Sequence, residues 1–329
     1  MKKVKDIGEK GVIEFISSKS TVENTLLKVG IGDDCAVFSI SCDFDMLVTT
    51  DMLVEGTHFL LPQFDPKGIG SKAILSNISD IAANGGIPIF ATISIGLNPE
   101  LPLETFERIV EGITEFAKKY KVSIIGGDTV RSEKIVISIS LIGTSPKDKF
   151  ALRSRAKPGE YLFVTGDIGA SAIGLEAIIE GYDKDLFANF IKRHYEPDIK
   201  VEFANLLVKE NLVSSMIDIS DGLVKDAGRI AESSCVAIIF EKDFIPVPEL
   251  RKEVRAILKR EPIEYSLFGG EDYELLFTAK KGKESEIIEL AEKLNIKISK
   301  IGFTETGKGL YIEEGNKRVP IEFMGFEHF

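Results

Sequence analysis

Aspartates recur in this chain at the ends of apolar, strand-like runs: Gly32-Asp33-Asp34, Thr49-Thr50-Asp51, Gly126-Gly127-Asp128 and Asp218-Ile219-Ser220-Asp221-Gly222. Strand ends are where α/β folds bind ligands. Two carboxylates about 4 Å apart repel by roughly 4 kcal/mol at an effective dielectric of about 20, so a cluster of several calls for a cation. Hard oxygen ligands on short turns suit Mg²⁺, which characteristically joins a few carboxylates to substrate phosphates. The chemistry these residues point to is metal-assisted phosphate transfer.

Each motif also has an ordinary reading. Asp33-Asp34 after Gly30-Ile31-Gly32 reads equally as an acidic turn, and Asp51 as the end of a strand. Ser220 or Asp221 can serve as a helix N-cap, although a second aspartate, Asp218, two residues before the serine exceeds what capping needs. Gly269-Gly270-Glu271-Asp272-Tyr273-Glu274 sets acids after a glycine pair, a pattern also common in surface loops. Residues 72–84 say more: they are apolar almost all round, as in a buried helix, yet Asn77, Asp80 and Asn84 fall at i, i+3 and i+7 on one face. A buried carboxylate needs a partner, either a cation or the two amides on the same helix.

The elements that must carry these residues are visible in the pattern. Met46–Thr50, Phe90–Ile95 and Ile135–Leu141 read as strands, and Phe106, Ile109, Val110, Ile113, Phe116, Ala117 and Tyr120 mark one face of a helix. Composition turns polar over residues 144–149, which places a junction between a domain spanning 1–148 and a second spanning 149–329. The second half restarts with a strand at Tyr161–Thr165, a glycine-rich turn and a helix through Ile179. Leu223, Val224, Ala227, Ile230 and Ala231 give a helix directly after Asp221-Gly222, and residues 309–321 read as a hairpin. The turn Gly166–Gly174 lacks the Gly-Lys-Ser/Thr of a P-loop. Gly30-Ile31-Gly32 meets Cys35 where a dinucleotide fingerprint needs a third glycine, and no His-Arg-Asp of a protein kinase occurs.

A chain of 329 residues with 44% hydrophobic content builds two α/β domains more readily than one. No apolar stretch is long enough to span a bilayer, and the charged opening Met1–Asp6 leads into no apolar leader, so the expected compartment is the cytoplasm. Cys35, Cys42 and Cys235 have no metal-ligand spacing and fit small core positions in a reducing compartment. His58, His194 and His328, without a Cys-x-x-Cys, argue against structural zinc. A net charge of −11 argues against nucleic-acid binding and requires an anionic substrate to be met by metal ions or a few placed cations.

In order along the chain, Gly-Ile-Gly-Asp-Asp-Cys-Ala-Val (30–37), Thr-Thr-Asp-Met-Leu-Val-Glu-Gly-Thr-His-Phe (49–59), Asn-Ile-Ser-Asp-Ile-Ala-Ala (77–83), Gly-Gly-Asp-Thr (126–129), Asp-Ile-Ser-Asp-Gly-Leu (218–223), Gly-Gly-Glu-Asp-Tyr-Glu-Leu (269–275) and the terminal Gly-Phe-Glu-His-Phe resemble the thiamine-monophosphate kinase family. The resemblance implies the two-domain fold of the aminoimidazole ribonucleotide synthetase superfamily, in a homodimer whose N-terminal domains pair into a β-barrel. It implies direct transfer of the ATP γ-phosphoryl group to thiamine monophosphate, assisted by several Mg²⁺ ions and without a dedicated catalytic base. Asp34, Thr49, Thr50, Asp51, Asp80, Asp128, Asp218 and Asp221 would hold metal. Gly127, Asp128, Arg153 and Ser220 would contact ATP, and His58, Glu271 and Phe326 would contact thiamine monophosphate. Two alternatives are a sister synthetase acting on a purine precursor and a nucleotide-holding maturation or scaffold protein.

Overall fold

A computed structural model describes residues 26–39, 41, 43–315 and 317–321. Cys42, Phe326, His328 and the rest of the terminal motif lie outside the described residues. Alternating β-branched and polar residues build a first sheet from β1 (Leu27–Val29), β2 (Ala36–Ser39), β3 (Phe44–Val54), β4 (Ile87–Leu97), β5 (Ser123–Arg131) and β6 (Val136–Pro146). Their order is β1-β2-β3-β6-β4-β5, antiparallel throughout except for the parallel pair β4–β5. Among the described residues this sheet is open, with β5 an edge strand.

The polar run at 144–149, expected as the junction, is strand as far as Pro146, because β6 stays paired to β3 down to Phe44. Along β6 the burial alternates residue by residue, so Thr144 and Pro146 occupy the more exposed face while Ser145 is buried.

Helix α1 (Pro66–Ala83) joins β3 to β4, and α2 (Leu103–Lys119) joins β4 to β5. Asp65 caps α1 by accepting from the Gly68 amide at 3.2 Å, and Pro66 occupies the first turn, where its missing N–H costs nothing. The two helices cross at glycines: a Cβ on Gly70 would lie 1.9 Å from the Ile109 carbonyl oxygen, and one on Gly112 2.0 Å from that of Lys67. Only glycine at both positions permits this approach.

The second sheet contains β7 (Tyr161–Thr165), β8 (Val213–Asp218), β9 (Val236–Glu241), β10 (Leu275–Ala279), β11 (Ile298–Thr306), β12 (Gly309–Glu314) and β13 (Lys317–Pro320), in the order β13-β12-β9-β11-β7-β10-β8. Around it lie α3 (Ala170–Glu180), α4 (Ala188–Tyr195), α5 (Val201–Lys209), α6 (Leu223–Ser234), α7 (Lys252–Ile257), α8 (Pro262–Phe268) and α9 (Glu284–Lys293). One apolar core runs from the first sheet through α1 into the second half, joining Ile74, Ile78 and Leu141 to Phe203, Met216 and Phe277. Helix α1 is therefore enclosed by both halves, which is why almost every one of its residues is buried.

Cys35 is buried as expected, but Cys235 is exposed. It terminates α6 in a left-handed conformation (φ 55°), a surface turn position rather than a core one. Among the described residues no helix is long and apolar enough to cross a membrane.

Candidate active site

Three segments each deliver one carboxylate to a common point. Asp34 lies between β1 and β2, Asp80 in the last turn of α1 and Asp218 at the end of β8, and one oxygen from each lies within 4.8 Å of the others. Their surroundings offer little compensating charge. Thr49 Oγ1 donates to Asp80 at 2.5 Å, Ser79 Oγ donates to Asp218 at 2.6 Å, and Arg153 binds Asp34 through Nε at 3.0 Å and through Nη2.

Burial pushes the Asp80 and Asp218 carboxyls well above the usual range, and the neighbouring carboxylates add to the effect. Asp51, alongside, is raised by burial against an opposing hydrogen bond from Ser76. Three converging oxygen donors with excess negative charge suit a hard divalent cation. The helix amides do not supply the missing partner. Asn77 is engaged by the Asp51 amide (3.1 Å) and the Ala73 carbonyl (3.0 Å), while Asn84 donates to Asp33 (3.2 Å) and the Ala151 carbonyl (2.8 Å).

This arrangement fixes the sign of a pH effect. With folded-state pKa values above those of the unfolded chain, Asp80 and Asp218 hold protons that the unfolded chain has already released, so folding stability falls as pH rises. In metal-free buffer the melting temperature is expected to drop as pH rises above the ordinary carboxylate range, from about pH 4 upward, and added Mg²⁺ is expected to recover more stability at the upper end. Thermal melts with and without chelator check this, and a metal-free melting temperature that climbs across the window would contradict it.

The other predicted residues are distributed around this point. Asp221 is tied to Arg229 and to Lys225 (3.4 Å). The Ser220-Asp221-Gly222 turn is held from α6 by Asp226, whose Oδ2 accepts all three backbone amides at 3.0, 3.0 and 3.1 Å. Burial pushes Asp226 up to about 7, against the Arg229 charge and the Asp221 amide. Thr50 points to the opposite face of β3 from Thr49, with its hydroxyl 2.8 Å from Ser140, so the structure does not bring this hydroxyl to the carboxylates. Gly127 and Asp128 lie on the exposed edge strand β5, outside the three-carboxylate cluster. His58 accepts the Val54 amide on Nδ1 at 3.0 Å, which directs Nε2 away from the backbone.

Glu271 follows Gly270 in a left-handed conformation (φ 64°), and its amide donates to the Ser220 carbonyl at 2.7 Å. Its carboxylate pairs with Lys72 of α1. Lys72 Nζ also lies 3.1 Å from His194 Nε2, and His194 Nδ1 is 3.1 Å from Ser171 Oγ. The glycine-rich turn before α3 is filled by its own acid: Asp272 accepts from the Gly169 amide at 2.7 Å and the Ser171 amide at 3.0 Å. A phosphate therefore has no vacant helix terminus there.

Asp226, Lys72 and His194 were not anticipated from the sequence. For Lys72 a signal existed, since a lysine inside an otherwise apolar helix must have a buried partner. Nothing comparable marks His194, 122 residues away.

The AIR synthase related protein N-terminal domain family matches residues 32–145, and the corresponding C-terminal domain family matches residues 157–314. The thiamine-monophosphate kinase of Aquifex aeolicus (strain VF5) is 36% identical over 331 residues, covering 99% of this chain and 100% of the relative. That of Bacillus subtilis (strain 168) is 34% identical, covering 94% and 96%. Among solved structures, AaThiL complexed with AMPPCP and TMP superposes with a TM-score of 0.87 at 35% identity, covering 100% of this chain and 99% of that one.

Proposed function

Because the chain belongs to the AIR synthase related family and, within it, to the thiamine-monophosphate kinases, we propose that it transfers the γ-phosphoryl group of ATP directly to thiamine monophosphate, yielding thiamine diphosphate and ADP. The observation that carries this reading is the meeting of Asp34, Asp80 and Asp218 in a buried, underneutralised cluster. A relative that aligns end to end with this chain is bound to an ATP analogue and TMP, which supports the same assignment.

Asp34, Asp80 and Asp218 would hold Mg²⁺, with Thr49, the backbone carbonyl of Thr50, Asp51, Asp128 and Asp221 completing the sites for several ions. Bound Mg²⁺ supplies neutralisation of phosphate charge, allowing two anions to approach in line. The chain's own groups position the reactants. Arg153, whose planar fork engages the Asp34 carboxylate, presents the geometry that also takes a phosphate. The Ser220 turn, clamped by Asp226, and Gly127 would contact ATP. His58, Glu271 and Phe326 would receive the acceptor. Its phosphate is already a nucleophile, so no side chain need act as a base in a loose phosphoryl-transfer transition state.

On this reading the reaction would run in the cytoplasm, in a homodimer. Pairing through the first sheet is favoured by the exposed edge strand β5, where Ile125 and Val130 are 57% and 55% exposed, next to Phe90 of β4 at 41%. Ile125→Lys is expected to shift the protein to monomer in light scattering after size exclusion, and a parent protein that is already monomeric would remove the dimer from this reading.

The test of the reaction is ADP release from Mg-ATP with thiamine monophosphate, thiamine or a purine precursor as acceptor, with products identified by mass. Thiamine diphosphate formed from the monophosphate alone is the expected result. Turnover only with another acceptor would move the protein to a sister activity.

A further inference from the structure

Two ionisable side chains near this site are almost fully buried and have no part in the mechanism above: Lys72 on α1, with 5% of its side chain exposed, and His194 on α4, with none. Both converge on Glu271. Its carboxylate pairs with Lys72 through Oε1, places Oε2 3.7 Å from His194 Nδ1, and keeps 28% of the side chain exposed. Glu271 is thus anchored from the interior at both carboxylate oxygens while part of its side chain stays open to solvent.

The hydrogen bonds define the charge state of the cluster. Burial and the adjacent ammonium hold His194 neutral, its pKa pushed down to about 3. A neutral His194 accepts from Lys72 on Nε2 and carries its proton on Nδ1, toward Ser171 Oγ. Burial works against the Glu271 carboxylate, but the Lys72 charge overrides it and keeps the group below its usual range.

The backbone around Glu271 needs such an anchor. Glu271 and Tyr273 both have positive φ, 64° and 53°, at residues with side chains, a conformation that L residues adopt only when their surroundings hold them there. The loop is held by backbone hydrogen bonds to the segment that joins Asp218 to Asp221: the Glu271 amide donates to the Ser220 carbonyl at 2.7 Å and the Tyr273 amide to the Ile219 carbonyl at 2.9 Å. Lys72 approaches the same loop from α1, which also carries Asp80 two turns further on.

We propose that Lys72, braced by His194, is a positioning residue for thiamine-monophosphate binding: it fixes the direction of the Glu271 carboxylate and ties the acceptor-binding loop to the helix that carries Asp80. This rests on the reading of Glu271 as an acceptor contact. The acceptor offers a cationic thiazolium ring and an aminopyrimidine, both of which suit a fixed carboxylate.

The test is a double-mutant cycle with Lys72→Met and Glu271→Gln, reading KM for each substrate and kcat separately. Glu271→Gln alone is expected to raise KM for thiamine monophosphate about tenfold and leave KM for ATP within about twofold. Lys72→Met is expected to do the same, and the double variant to add little, because both changes remove one interaction. Each of the following outcomes overturns the inference. If Glu271→Gln leaves KM for thiamine monophosphate unchanged, the acceptor reading of Glu271 fails first. If Glu271→Gln raises it but Lys72→Met does not, the positioning role alone fails. Additive effects would give Lys72 a structural role independent of Glu271, as would equal rises in both KM values. Should Lys72→Met not fold, His194→Leu carries the test: it keeps the ion pair and removes its brace. It is expected to raise KM for thiamine monophosphate about threefold, and an unchanged KM would refute the role.

Discussion

Asp80→Asn is expected to lower kcat/KM about a thousandfold, roughly 4 kcal/mol of transition-state stabilisation, while raising the melting temperature in metal-free buffer. Asp80 is the member of the cluster most surrounded by like charge. After burial itself, Asp51, Asp218 and Asp34 are what raise its carboxyl. Asparagine preserves the shape and an acceptor for Thr49, so the substitution removes charge with little change in packing. At an effective dielectric of about 20, carboxylates nearly 5 Å apart repel by roughly 3 kcal/mol per pair, and partial protonation reduces what is recovered to about 1–2 kcal/mol. A gain in stability coupled to a loss of activity separates a metal-holding carboxylate from a structural one. Melts of the parent and the variant, with chelator and with Mg²⁺ plus AMPPCP, provide the check. An Asp80→Asn protein that keeps the parent's full Mg²⁺-nucleotide shift would sink the assignment.

The opposite signature is expected of Asp226→Ala. Asp226 is fully buried, and one of its oxygens serves three consecutive backbone amides while the other takes Arg229 at 2.8 Å. Alanine leaves the three amides without their acceptor and removes one of the two carboxylates that hold the Arg229 guanidinium, the other being Asp221. At about 1–3 kcal/mol for each unsatisfied buried group, with some reached by water, the expected loss is about 3–5 kcal/mol. The turn so released carries Ser220 and Asp221, so KM for ATP is expected to rise as well. Asp226→Asn, which retains one acceptor oxygen, should recover roughly half of the stability. Denaturant midpoints for the two variants measure the difference. If alanine and asparagine are equally stable, the clamp does not hold the turn.

Much of this site was legible before any coordinates. The helix face with Asn77, Asp80 and Asn84 and the turn at Asp218–Gly222 stand where periodicity and turn chemistry put them, but of the aspartates expected at strand ends only Asp218 closes one: β3 and β5 run on past Asp51 to Val54 and past Asp128 to Arg131. The identity of Asp80's partner was not. Its short hydrogen bond comes from Thr49, on a strand paired in another direction, and no local pattern encodes that meeting. Strand β8 was signalled only by its closing aspartate, because its own serines read as polar although both are buried: Ser214 donates to Glu160 at 2.5 Å and Ser215 to the Arg153 carbonyl at 3.0 Å. Asp226 could have been found, since an acid four residues after Gly222 is spaced to turn back onto the amides of its own helix start. Cys235 misled because composition alone treats cysteine as a core residue, whereas its backbone conformation put it on the surface.

Helix α1 is an axle rather than a hinge. Gripped by its own sheet on one side and by the second half on the other, it leaves no plane along which the halves could swing apart without tearing a single core. The two halves are also inseparable as products: a protein cut between them would expose an apolar helix face that neither piece can cover, so the smallest unit able to hold the reaction geometry is the undivided chain.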